Sequence, residues 1–374
     1  MNNVFNPEFI ETLLYDTPFF VFSKEKILQK FQEFQQHFPD TEIHYAMKAN
    51  SEYQVLQTLS TAGCGFEVAS MYELHMLRDM SVPPEKIVYG TSVKPISHIK
   101  AFYDYGVDRF AFDSLSELEK IAAIAPNTRV FLRVSVNDAS SVFKFSEKFG
   151  TELDNIVPML KRAKELGLKP YGISFHVGSQ SNDPHAWGKA LASIGEPIRQ
   201  LQGEGITIDM INLGGGFPCK YMSCQNHLSL KDIAKYTLTE YNKLPYQPKL
   251  VLEPGRGIIA ETGILITSVI AKVERKQSTW LFLDAGVYNG LFEAMAYQGS
   301  TRYRISRLRN SDQHTTVFAL AGPTGDSPDV ISRDGLLPMD TNVGDKLIIH
   351  DAGAYTISVT SEFNGFPKPQ AYFI

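Results

Sequence analysis

Five stretches of this chain end in residues that could do chemistry. Lys48 closes the apolar run Ile43-His44-Tyr45-Ala46-Met47 and is followed by Ala49-Asn50. Its stem can lie along a buried strand while the amine reaches a cleft, and partial desolvation would lower its pKa and free it as a nucleophile toward a carbonyl. Three consecutive glycines, Gly214-Gly215-Gly216, end another run and let the backbone approach a ligand closely, with amide donors suited to a phosphate. Glu253-Pro254-Gly255-Arg256 adds a guanidinium for that phosphate and a carboxylate that is costly to bury without a cation beside it. Glu67 closes a short run of its own, and His176-Val177-Gly178-Ser179 follows another. Each residue alone has an ordinary reading: a snorkelling lysine, a tight turn, a Glu253–Arg256 ion pair, a hydrogen-bonded core histidine. Together, an amine, a phosphate cradle, a carboxylate for a protonated ring nitrogen and an imidazole to stack on a ring describe a pyridoxal phosphate site.

The elements that must position these residues alternate. Strand-like runs are expected at Ile43–Met47, Gly65–Val68, Ile87–Tyr89, Arg109–Phe112, Arg129–Val134, Gly172–Val177, Met210–Leu213 and Leu250–Leu252. Helical periodicity falls between them at Glu52–Thr61, Met71–Met80, Pro95–Tyr105, Ser116–Ala125, Glu152–Leu166, His185–Leu201 and Leu230–Leu244, with Ser114 and Ser229 as start signals. An eightfold alternation is the pattern of an α/β fold, a (β/α)8 barrel, whose chemistry sits at the C-terminal ends of its strands. After about Ile259 the runs Gly263–Val273, Trp280–Leu283, Thr316–Ala321 and Lys346–His350 are separated by turns instead of helices. The expected organisation is a cofactor-binding barrel over residues 24–258 and a mostly β domain, a β-barrel or sandwich, from residues 1–23 and 259–374, which includes the N-terminal strand Pro18–Phe22.

Bulk properties narrow the classes. With 374 residues the chain exceeds one ordinary core. A net charge of −5 without a basic block argues against a nucleic-acid partner. No apolar run approaches the ~20 residues that span a membrane. The N-terminal residues carry acids where a secretion signal would carry bases and an apolar block, so a cytoplasmic location is expected. Cys64, Cys219 and Cys224 are too few and too scattered for a disulfide framework, and Cys219, Cys224 and His227 fit no zinc spacing, so no metal is expected.

The strings YAMKAN, GFEVAS, FHVGSQ, NLGGGFP, EPGRG, GPTGDSPD, DAGAYT and FNGF, in this order along the chain, resemble the motifs of fold-type III pyridoxal-phosphate decarboxylases. The chain is most similar to the ornithine and lysine decarboxylase branch, from about Thr17 to Ile374. The resemblance implies that Lys48 carries the cofactor covalently, that Glu253 pairs with the pyridinium nitrogen and that His176 stacks on the ring. It assigns the phosphate to Ser179, Gly215, Gly216, Arg256 and Tyr355, counts Gly214 and Gly255 among the cofactor-binding residues, and places Glu67 near the lysine. It also implies a homodimer with shared active sites, the GPTGD loop coming from the partner, and an amino-acid substrate met by Tyr288, Gln298, Gly325, Asp326 and Phe363, with Asp326 also among the catalytic residues.

The chain departs from the branch pattern at three positions. Gly325 stands where the branch has a cysteine credited with proton delivery to the substrate's α-carbon. Gln298 stands where an acid grips the distal ammonium, and Lys144 where an arginine lies near the cofactor's phenolic oxygen. The expected reaction is decarboxylation of an ornithine-like or lysine-like amino acid, or of a larger conjugate, to the amine and CO2. Decarboxylation-coupled transamination, a fold-type III racemase and a non-catalytic regulatory homologue are the alternatives. Without a thiol at position 325 the returning proton must come from water, Lys48 or another side chain.

Overall fold

Short apolar runs bounded by turn residues become strands in the computed structural model, which describes residues 5–223, 228–296, 301–309 and 314–374. In chain order they are β1 (Phe19–Phe22), β2 (Glu42–Ala46), β3 (Gly65–Val68), β4 (Ile87–Tyr89), β5 (Arg109–Phe112), β6 (Arg129–Arg133), β7 (Ser141–Phe143), β8 (Lys169–Ser174), β9 (Ser179–Ser181), β10 (Met210–Asn212) and β11 (Lys249–Leu252). Eight of them, in the order β10-β11-β2-β3-β4-β5-β6-β8, close a barrel of parallel strands. Strands β3 and β5 are buried along their whole length, as a parallel sheet covered by helices requires. Inside, Ala111, Phe131, Met210 and Val251 from four strands pack as one cluster. Gly172 is needed at that level, because a Cβ there would lie 2.5 Å from the Met210 carbonyl oxygen.

The intervening helices start where the serines predict: Ser114 Oγ accepts from the Glu117 amide at 3.4 Å and Ser229 Oγ from the Asp232 amide at 3.1 Å. Two features differ from the sequence expectation. Strand β8 stops at Ser174, short of Val177, because Gly178 turns the chain at φ +82° and Ser179–Ser181 pairs antiparallel with Ser141–Phe143 as a separate ribbon. The helix expected over Glu152–Leu166 is a 3-10 turn, Leu153–Asn155, followed by Ile156–Glu165. A helix over Lys24–His37 precedes the barrel.

The second compact unit takes in the chain from Ile258 to Ile374 together with the segment up to Ile27 and a short stretch opening at Cys219. Its strands are β12 (Gly263–Glu274), β13 (Thr279–Leu283), β14 (Ile305–Arg307), β15 (Thr315–Ala321), β16 (Val330–Pro338), β17 (Lys346–Ile349) and β18 (Gln370–Phe373). Among the described residues they form one sheet, ordered β14-β17-β12-β13-β15-β16, with β1 antiparallel to β12 and parallel to β18. All four residues of β1 are buried. Phe19 and Val21 pack with Ile264, Ile266, Phe5 and Ile10, each large side chain contributing about 1.5–3 kcal/mol. Among the described residues no helix is long and apolar enough to cross a membrane, and no three His, Cys, Asp or Glu side chains form a metal cluster. Cys224 and His227 lie outside the described residues.

Candidate active site

Lys48 sits in a single 3-10 turn, Met47–Ala49, where β2 ends. Its Nζ donates to Glu67 Oε2 at 2.5 Å, and Glu67 lies in β3 beside Ala46 in register. The amine is half exposed while the carboxylate is buried. Gly90, after β4, makes room for that carboxylate, since a Cβ there would meet Glu67 at 2.6 Å. A buried acid thus holds an accessible amine at the mouth of the barrel.

Glu253 follows β11. Its carboxyl is pushed up to about 7, first by burial and then by the Glu67 charge, against the opposing pull of Lys48, the Asn212 hydrogen bond and Arg133. Asn212, the last residue of β10, donates from Nδ2 to Glu253 Oε1 at 2.6 Å and accepts from the Gly214 amide at 2.8 Å. One buried amide therefore sets both the carboxyl and the start of the glycine loop. In that loop a Cβ at Gly214 would lie 2.3 Å from the Phe175 carbonyl oxygen, at Gly215 2.7 Å from that of Glu253, and at Gly216 2.4 Å from that of Gly178. Gly214 and Gly216 also have φ of +65° and +95°. Trp187, fully buried and stacked on Phe217, donates from Nε1 to the Gly215 carbonyl at 3.2 Å.

Arg256, buried, reaches Ser179 Oγ with Nε and Nη2, each at 3.4 Å, and lies 5.1 Å over the Phe143 ring. The β7–β9 ribbon is what brings Phe143 and Ser179 together. His176 accepts from the Gly178 amide at Nδ1, 3.0 Å away, and its ring meets Phe145 edge-on at 5.0 Å. Burial, then the charges of Arg133 and Lys48, hold the imidazole well below its ordinary pKa, so it is neutral with its proton on Nε2. Its Nε2 lies 3.3 Å from where a Gly215 Cβ would stand.

Arg133, at the end of β6, is a residue that the strand-end reading missed. Burial lowers its pKa while Glu253, Glu67 and Asp113 raise it, which places those three acids within electrostatic reach of one guanidinium. Lys144 is exposed beyond β7, so the cation among these acids is Arg133, not Lys144. The signal available was a charged residue closing an otherwise apolar strand, Arg129-Val130-Phe131-Leu132-Arg133. Asn212 carried the same kind of signal.

In the second unit, Tyr288 Oη donates to Asp326 Oδ2, and the Phe363 ring lies 4.5 Å from that of Tyr288. The hydrogen bond to Asp326 raises the Tyr288 phenol pKa. Asp329, buried, accepts from the Val287 amide at 2.8 Å and from the Thr324 amide and hydroxyl at 3.1 and 2.7 Å, so one carboxylate ties the loop carrying Tyr288 to the loop carrying Asp326. A Cβ at Gly325 would meet nothing within 4 Å. Tyr355 has the left-handed φ of +51°. Gln298 lies outside the described residues.

Pyridoxal phosphate fits the barrel set: an accessible amine held by a buried acid, a glycine floor that any side chain would fill, an arginine with a hydroxyl, and a second buried acid able to pair with a cationic ring nitrogen. The comparisons agree. Residues 24–260 match the family model of the pyridoxal-dependent decarboxylase, pyridoxal binding domain. The chain is 32% identical to the lysine/ornithine decarboxylase of Selenomonas ruminantium over 94% of this chain and 88% of that protein. The crystal structure of SrLDC in complex with PLP and cadaverine superposes with a TM-score of 0.90 at 30% identity, covering 98% of this chain and 93% of the other. That of the Paramecium bursaria Chlorella virus arginine decarboxylase bound to agmatine gives 0.91 at 29% identity, covering 98% of each. With an amine, a carboxyl and a glycine floor at adjoining strand ends and a family match over most of the barrel, the chain belongs to the pyridoxal-dependent decarboxylases.

Proposed function

We propose that the protein decarboxylates a basic amino acid of the ornithine–lysine class, or a larger conjugate of one, with Lys48 as the covalent anchor of the cofactor. The observation that carries this reading is the Lys48–Glu67 pair beside Glu253, a carboxyl pushed up to about 7 by burial and by the Glu67 charge. When bound, pyridoxal phosphate supplies the electron sink that accepts the pair released as the bond from Cα to the carboxylate breaks. Glu253 holds a proton at the ring nitrogen. Arg256, Ser179 and the amides of the glycine loop hold the phosphate. His176, neutral and with Nδ1 already engaged by Gly178, offers a flat face to the ring. Glu67 keeps the Lys48 amine in place, and Arg133 offsets the two acids. With the cofactor bound, the Lys48 amine would be a group able to carry a proton to the substrate's Cα.

Within the second unit, the Asp326 carboxylate framed by Tyr288 and Phe363 suits an ammonium group, and we assign it the substrate's distal amine. The names of the relatives support a diamino acid or a guanidino acid as substrate. Residues 24–258 are assigned as the cofactor domain, and a cytoplasmic homodimer as the working form, to be checked by native mass measurement. The test of the activity is a panel of amino acids scored for CO2 and amine by mass spectrometry, with Lys48→Ala as control. CO2 and amine from a basic amino acid, lost together with the cofactor's visible absorbance in the variant, are expected. Cofactor absorbance that persists unchanged in Lys48→Ala, or no CO2 from any basic amino acid, overturns the reading.

A further inference from the structure

The pole of the barrel opposite Lys48 is built around charge that the reaction does not use. The starts of β2, β3, β5 and β6 enclose a cavity of about 460 Å³ lined by Glu42, His44, Lys86, Arg109, Arg129 and Tyr171 among others. The length of β2, five residues, separates its mouth from Lys48 by ~16 Å.

Most of the charge here is matched. Arg129 donates from Nε and Nη2 to Asp108 at 2.8 and 2.6 Å, with its guanidinium 4.8 Å over the Tyr171 ring. The Glu42 carboxylate lies 3.4 Å from both Arg109 Nη1 and His44 Nε2. Arg109 Nη2 donates to the carbonyl oxygens of Glu85 and Ile87, and Lys86 Nζ donates to that of Gly63 at 3.1 Å. Two atoms are left over. His44 Nδ1 and Arg109 Nε are buried without a hydrogen-bond partner, on side chains that are 2% and 4% exposed. Buried polar atoms of this kind are nearly always satisfied.

The chemistry of the two atoms defines what would satisfy them. Arg109 Nε–H can only donate, so its missing partner is an acceptor. His44 is held neutral by burial, with the charges of Arg109 and Lys86 opposing its protonation and Glu42 favouring it. Its Nε2–H faces Glu42, which that bond keeps ionised with a pKa of about 2, so Nδ1 carries the lone pair. One proton taken up at Nδ1 turns it into a second donor. Lys86 is bonded to a neutral carbonyl and Lys249 acts on Glu42 from the start of β11; the acids facing the cavity are Glu42 and Glu85, Asp108 is paired with Arg129, and the donors left to satisfy are Arg109 Nε and Lys86. An acceptor that is itself negative answers all of these groups at once.

We propose that this cavity is a binding site for a small oxyanion, a phosphate or a carboxylate, taken between Arg109, His44 and Lys86 and separate from the reaction site. Sulfate is the probe, because its charge is constant over the working range. Calorimetry on the cofactor-loaded protein, whose own phosphate cradle is filled, is expected to show one saturable sulfate site. Its affinity rises as pH falls, by at most about tenfold per pH unit, with uptake of at most one proton. Lys86→Ala, a change at an exposed side chain, weakens it by roughly fivefold and leaves turnover unchanged. His44→Gln removes the pH dependence. Parallel titrations with inorganic phosphate and with succinate assign the preferred anion. No saturable site in the wild type, or sulfate binding that neither variant alters, overturns the proposal. Because the readout is anion binding, that result leaves the assignment of Lys48 and Glu253 untouched.

Discussion

Replacing Glu253 by glutamine should stabilise the cofactor-free protein while impairing the loaded enzyme. Burial and the neighbouring Glu67 charge move the Glu253 carboxyl from its ordinary 4.5 to about 7. Each pH unit of such a displacement is roughly 1.4 kcal/mol, so the ionised form costs the folded, cofactor-free barrel about 3 kcal/mol relative to the protonated form. The folded-state pKa lies above the unfolded one. The group's favourable contribution is therefore complete below 4.5 and is lost as pH rises through 7. Glutamine has the shape of the protonated acid and does not titrate; its carbonyl can still accept from Asn212 Nδ2, and its amide no longer repels Glu67. Urea unfolding of the cofactor-free proteins should then show Glu253→Gln gaining up to about 3 kcal/mol over wild type at about pH 8, and much less at about pH 5. In the loaded enzyme the same change removes a charged partner of the ring nitrogen, an interaction of about 1.5–3 kcal/mol, so cofactor affinity or CO2 release should fall roughly 10- to 150-fold. A variant no more stable than wild type at the higher pH, or a difference equal at both, would show that Glu253 has a balancing cation of its own and would refute the reasoning.

Three further outcomes follow from the same contacts. Asn212→Ala leaves Glu253 Oε1 and the Gly214 amide without their shared partner and should cost about 1–3 kcal/mol in denaturant unfolding, with weaker cofactor binding by titration; Asn212→Asp should fare no better, since it cannot donate to Glu253. Asp329→Asn places a donor against amides that already donate, so the Tyr288 and Asp326 loops should part; KM for the basic substrate should rise several-fold, with cofactor absorbance unchanged. Gly325→Cys should be accommodated without loss of thermal stability, because its Cβ meets nothing within 4 Å. The added thiol should lower the fraction of turnovers that end in transamination, measured as pyridoxamine phosphate by mass spectrometry.

The barrel was legible because its strands are buried on both faces. Runs such as Ile87–Tyr89 and Leu250–Leu252 read as unbroken apolar segments between amphipathic helices, and the residues that close the strands point to one pole whatever the details between. The β7–β9 ribbon was not legible. Ser-Val-Phe and Ser-Gln-Ser have no periodicity of their own, and they pair only because Gly178 adopts φ +82° and folds one segment back on the other. Arg133 and Asn212 were hidden for a different reason: each falls inside a stretch read as a strand, where side-chain direction and partners are set by closure of the barrel. In the β unit, Ile305–Arg307 and Gln370–Phe373 were passed over because three or four residues do not make a pattern. They become strands by pairing with β17 and β1.

The two poles of the barrel balance charge in opposite ways. At the strand starts Asp108 is engaged by Arg129 and Glu42 by Arg109, and what is left over is a donor, Arg109 Nε, and a lone pair, His44 Nδ1. At the strand ends two acids, Glu67 and Glu253, stand near each other, and Lys48 is committed to the first at 2.5 Å. Arg133 serves both acids from within the barrel wall and is itself disfavoured by burial. The remaining deficit falls on Glu253, the residue held in place by Asn212 on the same amide that starts the glycine loop. A ligand that brings a cationic ring nitrogen to Glu253 and an anionic phosphate to Arg256 and Ser179 offsets both ends with one molecule. On the proposed function the raised acid and the cradle would be two halves of one recognition device, and loss of either should be felt by the other.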